Sequence, residues 1–184
     1  TRYSFANIIG HCWFDIIENF SEGHINAIKN YIKDKTLIGE YVGNQYHQHL
    51  IRYMKHTILF FGIVDNENPI DNSLPIIKAF AKLKEFKLDV VPYEYIGTYE
   101  KMEDVYEAMK KLYIRIAESS IIDEEEGSVI YLNRTRARSI KSDMKYRIDD
   151  KVLSLCKLKT WEYRIYRKLR EKLKNHLNDQ NYYE

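Results

Sequence analysis

The chain has 184 residues, with 29 Lys and Arg against 27 Asp and Glu, for a formal net charge of +2. That balance excludes a globally basic nucleic-acid binder, so any polyanion site must come from local clustering. A hydrophobic fraction of 45% with 16 tyrosines excludes a disordered chain, and the length suits one domain over residues 1–184 with a real core. No apolar run approaches the ~20 residues that span a bilayer, and no secretory signal is present, so no membrane partner is expected. Cys12 and Cys156 match no metal or redox spacing, which points to an intracellular, reducing compartment.

In chain order, Tyr3–Phe14 is apolar and aromatic and reads as a strand or the entry to a helix. Asp15–Lys33 has helical spacing, with Ile16, Phe20, Ile25, Ile28 and Ile32 forming a stripe broken around Gly23. Thr36–Gly43 reads as a short strand. Gln45–His56 is polar and carries His47, His49 and His56, which lack carboxylate or cysteine partners at ligand spacing and read as loop histidines. Thr57–Val64 is the most hydrophobic strand candidate and ends in the turn sequence DNENP. Ser73 is placed to cap a helix running to about Phe86, with Leu74, Ile77, Phe80 and Leu83 inward. Leu88–Ile96 reads as a strand interrupted by Pro92. Thr98 precedes a helix through Glu118, with Val105, Met109, Leu112 and Ile116 on one face.

The last third holds the chemistry. Glu124–Leu132 is an acidic turn entering a strand, and Asn133–Asp150 is polar and basic. Val152–Leu173 then joins a strand to a basic amphipathic helix over 160–177. Lys157 and Lys159 lie two residues apart on that strand, hence on one face and roughly 6–7 Å apart. Two ammonium groups so close repel unless an anion sits between them, and a phosphate is the obvious candidate. The plainer alternative is an edge strand whose solvated lysines oppose aggregation. In the helix, Trp161, Ile165, Leu169 and Leu173 recur every four residues and are expected to pack against the domain. Arg164, Arg167, Lys168, Arg170, Lys172 and Lys174 cover the other sides, as a solvated face or as RNA-backbone contacts. Strands and helices alternate irregularly, and no G-x-G-x-x-G or G-x-x-x-x-G-K-[ST] is present. The pattern favours an α+β fold in which antiparallel sheets carry the polar residues of a cleft.

Four segments in this order resemble the covalent nucleotidyltransferases: RNA ligases, DNA ligases and capping guanylyltransferases. TLIGEYVG (36–43) resembles motif III, ILFFGIVDN (58–66) motif IIIa, EEGSVIYL (125–132) motif IV and CKLKTWEY (156–163) motif V. K-L-K-T followed by an aromatic-rich basic helix is most similar to the ATP-dependent RNA ligase branch. The resemblance implies an antiparallel-sheet nucleotidyltransferase (adenylation) domain. It implies that Glu40 hydrogen-bonds the ribose hydroxyls of ATP and that Glu126 helps hold Mg²⁺. It also implies that Lys157 and Lys159 act catalytically on the α-phosphate. Ile38 stands where the family often stacks an aromatic on the base, with Phe60, Phe61 or Tyr41 as substitutes. The blander readings are a turn-adjacent surface glutamate for Glu126 and a strand-edge carboxylate for Glu40.

The family's nucleophile is a lysine in K-x-D-G or K-x-N-G before motif III, and no lysine of this chain is followed by glycine three residues on. Residues 1–35 are too few to hold that motif at the usual distance, so the nucleophile is expected on upstream sequence. The expected activity is joining of RNA 5′-phosphate and 3′-OH ends through an adenylylated lysine, with AMP released, as in RNA repair. The alternatives are a non-catalytic ligase-like subunit with a structural or RNA-binding role, and a capping guanylyltransferase.

Overall fold

The computed structural model describes residues 2–43, 53, 55–68, 74–119, 126–140 and 143–180, with the backbone alone for 2–4, 133–140, 143–154 and 177–180. Those residues form a mixed α+β structure with five helices and two two-stranded antiparallel sheets. The chain divides into two compact units, one of Thr1–His49 with Tyr53–Glu94 and one of Leu50–Arg52 with Tyr95–Glu184.

The first unit holds α1 (Arg2–Ile17), α2 (Glu22–Tyr31), β1 (Lys35–Val42), β2 (Thr57–Asp65) and α3 (Ile76–Glu85). Tyr3–Phe14 is therefore helical. The break expected around Gly23 falls earlier, because Ser21 caps α2: its Oγ accepts the His24 amide at 3.3 Å. That bond satisfies one of the helix's free N–H groups and sets where the helix starts. β1 and β2 pair antiparallel with a register shift between Ile38 and Gly39. The turn after β2 is fixed by Asp65, whose Oδ1 accepts the amides of Glu67 and Asn68. Ser73 lies outside the described residues, and α3 starts after Pro75 with no side-chain cap.

The core of this unit joins Cys12 of α1, Ile28 of α2, Ile58, Phe60 and Ile63 of β2, and Phe80 and Leu83 of α3. Ile77, expected inward, is 52% exposed; the inward face of α3 is carried by Ala79, Phe80 and Leu83 instead. The expected strand Leu88–Ile96 reduces to one parallel bridge between Val90 and Phe60. Phe60 donates to the Asp89 carbonyl and Val91 to the Phe60 carbonyl, and then Pro92 lacks the N–H needed to extend the ladder.

The second unit holds α4 (Met102–Glu118), β3 (Gly127–Ile140), β4 (Asp143–Lys159) and α5 (Trp161–Gln180). In α4, Leu112 and Ile116 are buried, with Val105 and Met109 half-buried beside them, as the spacing predicts. That face packs on both strands of the β3–β4 ladder. The basic segment Asn133–Asp150 falls on this ladder, whose pairing runs from Gly127↔Lys159 to Ile140↔Asp143. The acidic and lysine-bearing segments are thus two edges of one sheet.

Candidate functional site

The ladder brings two of the predicted residues into contact. Gly127 pairs with Lys159 and Val129 with Lys157, with no irregularity in this part of the register. Glu126, just before β3, accordingly meets the end of β4. Its Oε2 lies 2.6 Å from Lys159 Nζ, and the two side chains are only 18% and 20% exposed. Its backbone carbonyl also accepts the Thr160 amide at 3.1 Å. Thr160 is fully buried, and its Oγ1 accepts the Tyr163 amide at 3.2 Å. The threonine of K-L-K-T therefore ends the strand and caps α5, which fixes how the helix leaves the sheet.

Gly127 makes the close approach possible. Its φ of +141° lies in the region that favours glycine, and an added Cβ would stand 2.0 Å from the Leu158 carbonyl oxygen. Only a residue without a Cβ fits between the strands there.

Tyr163 completes the cluster, and sequence reasoning missed it. Lys159 Nζ sits 4.4 Å from the centre of its ring. Burial pushes the Tyr163 phenol up, helped by the Glu126 carboxylate and a hydrogen bond to it, against an opposing pull from Arg167 and Arg170. The available signal was the Lys159–Tyr163 spacing: four residues across a strand-to-helix junction whose capping threonine is visible in the sequence.

The structure corrects the expectation that a phosphate is needed to reconcile Lys157 with Lys159. Lys159 already has an internal counter-charge in Glu126, whereas Lys157 is exposed and forms no ion pair with any described residue. Among the described residues, Lys157 is the cation of the pair that meets no counter-charge.

A groove of about 530 Å³ continues from Lys159 along α5, lined by Lys159, Tyr163, Arg164, Arg167, Lys168, Glu171 and Lys172. The one carboxylate among these residues, Glu171, is held by Arg170 at 3.1 Å. The helix's apolar residues do not pack as expected: Trp161 and Leu173 are each 62% exposed and Leu169 51%.

The other predicted residues lie in the first unit. Glu40 is exposed on β1, opposite Leu59, and Ile38 is half-buried opposite Gly62. Phe60 is 4% exposed within the core, edge-on to Trp13 at 6.1 Å between centroids. Phe60 is thus a packing residue with no open face for a base. Tyr41 is buried in the same core, and Phe61 packs against it. His47 and His49 lie outside the described residues; His56 is half-buried, edge-on to Tyr41 at 5.0 Å.

Glu126 was expected to help hold Mg²⁺. A carboxylate oxygen already 2.6 Å from an ammonium is a poor resident-cation ligand, since Lys159 cancels the charge that would attract the metal. Among the described residues, no three His, Cys, Asp or Glu side chains converge on a point, and no helix is long and apolar enough to cross a membrane. Both cysteines are free, Cys12 buried and Cys156 half-buried.

Comparison of the chain with protein-family models, with curated proteins and with solved structures finds no match.

Proposed function

We propose that this chain carries the phosphate-binding portion of an ATP-dependent RNA ligase of the covalent nucleotidyltransferase type. The observation that supports the reading is the contact between Glu126 and Lys159, 2.6 Å apart at the start of β3 and the end of β4. These residues come from the two segments that resemble motifs IV and V, 33 positions apart. In this reading Lys157 meets the nucleotide's α-phosphate first, being exposed. Lys159 joins it by exchanging the Glu126 carboxylate for phosphate oxygen, and Glu126 keeps its ammonium aimed meanwhile. Two ammonium groups then stabilise charge that grows on the phosphate oxygens during adenylyl transfer. Tyr163 holds the Lys159 ammonium over the face of its ring, 4.4 Å from its centre. Mg²⁺ enters with the triphosphate as Mg–ATP. The adenylyl-accepting amine is assigned to no residue of this chain, since none of its lysines stands in K-x-[DN]-G.

The test is equilibrium binding of labelled ATP and GTP. ATP should bind, and Lys159→Ala should weaken it on the order of tenfold, the weight of a charge-assisted hydrogen bond. Preference for GTP would move the reading to a capping enzyme, and binding of neither nucleotide would reject both. The basic groove of α5 favours a second reading: a ligase-like RNA-binding subunit without catalysis. RNA binding in a chain that ignores both nucleotides would select it.

A further inference from the structure

We infer that the groove along α5 is a binding track for the backbone of single-stranded RNA, with Trp161 as a stacking platform at its rim. The choice of RNA over DNA rests on the ligase reading; the track itself does not. Besides Lys159, which Glu126 neutralises, four cationic side chains, Arg164, Arg167, Lys168 and Lys172, line the groove. Its one carboxylate is occupied by Arg170, so the local charge is strongly positive on a molecule whose net charge is only +2. Arg164, Lys168 and Lys172 follow one another at four-residue steps, roughly 6 Å of helix rise each. That interval is of the same order as the spacing of successive phosphates along an extended strand, so the groove matches a repeating anion better than a single one. Trp161 stands three residues before Arg164 and seven before Lys168, on the same edge of the helix. It is 62% exposed, which leaves its ring open to a base. A basic groove edged by an open aromatic is how proteins hold single strands without reading sequence: ammonium and guanidinium groups follow the phosphates while a base stacks alongside. An acidic peptide would use the charge but not the ring; an anionic lipid surface could use both, and the vesicle arm of the experiment separates it from RNA.

The experiment titrates the whole chain with a fluorescently labelled single-stranded RNA 12-mer, by anisotropy at several salt concentrations. The Arg167→Gln/Lys168→Gln/Lys172→Gln variant keeps Lys157 and Lys159. A matched variant neutralises Lys101, Lys110 and Lys111, which are exposed on and beside α4. Circular dichroism checks that both fold. The wild-type chain should bind, and the groove variant should bind more weakly, with a log–log salt slope shallower by about 2, roughly 0.7 for each phosphate no longer neutralised. The matched variant should be unchanged. Trp161→Ala should weaken binding on the order of tenfold with the salt slope kept, because stacking releases no counterions. Equal losses in the two neutralised variants, an unchanged slope in the groove variant, or binding to phosphatidylserine vesicles without binding to RNA would each overturn the inference. Labelled ATP is titrated in parallel. Loss of ATP binding with RNA binding intact would count against the ligase reading alone, and the reverse against the track alone.

Discussion

Replacing Gly127 by alanine should do more damage than any other single methyl added to this chain's described glycines. The backbone at Gly127 has φ +141°, and the new Cβ would stand 2.0 Å from the Leu158 carbonyl oxygen and 2.7 Å from the Lys159 Cα. Both obstacles are backbone, so no side chain can swing away; β3 and β4 must separate locally. Holding a non-glycine residue in this region costs about 1–3 kcal/mol. Forcing tightly packed atoms apart costs roughly another 1–3 kcal/mol. Together these predict a fall of about 2–6 kcal/mol in the stability of the second unit, and the Glu126–Lys159 ion pair should break as the strands part. Gly23→Ala is the control: nothing lies within 4 Å of its added Cβ. In the first turn of α2 the same change should stabilise slightly, by less than the ~0.5–1 kcal/mol of a helix interior. Urea unfolding with amide exchange on β3 and β4 reads both. A Gly127→Ala chain with wild-type stability and wild-type protection at Lys159 would refute the reasoning that this glycine sets the approach of the strands.

Other outcomes follow from the same geometry. Glu126→Gln should tighten ATP binding measured in EDTA, by up to roughly fivefold, the ~1 kcal/mol ceiling of a partly solvated ion pair, because the carboxylate competes with phosphate for Lys159; weaker binding in EDTA would show that it does not. Lys87, with φ 54°, follows α3 in the left-handed conformation, and its neighbour Leu88 donates to the Leu83 carbonyl at 3.0 Å, as in a glycine-terminated helix end. Lys87→Gly should therefore raise stability by about 1 kcal/mol, and a fall in the urea midpoint would contradict this. The phenols of Tyr131 and Tyr163 are both pushed up, the first by burial and the second by burial and then Glu126. Their contribution to stability is full below the ordinary phenol value of about 10 and is lost as pH rises through the higher folded values. The urea midpoint should fall as pH rises above about 10, less steeply in Tyr163→Phe; an identical dependence would show that Tyr163 makes no such contribution.

Periodicity located the elements wherever one physical preference dominated. The faces of α4, the strands β1 and β2 and the passage from strand to helix near Lys159–Trp161 could all be read from spacing; the pairing of β1 with β2 and the Thr160 cap came from the structure. Boundaries failed where two signals competed. Gly23 marked a break that the Ser21 cap had already made, and Pro92 was a warning that Leu88–Ile96 would yield a bridge and no ladder. The site was legible in part. Alternation put Lys157 and Lys159 on one face, but their different environments depend on the partner strand, which delivers Glu126 to Lys159 alone. Phe60 illustrates the limit from the other side. An aromatic at the heart of a hydrophobic strand looks the same in sequence whether it stacks on a base or fills a core, and burial against Trp13 decided for the core.

The central claim is that Lys157 and Lys159 together receive a nucleotide phosphate. It is tested most directly by ¹³C-methylating the lysines, which keeps their charge, assigning the two signals with Lys157→Arg and Lys159→Arg, and titrating ATP. The account predicts that both signals shift and saturate together, Lys159 moving further as it leaves Glu126. Saturation of ATP binding with both signals unmoved would contradict it.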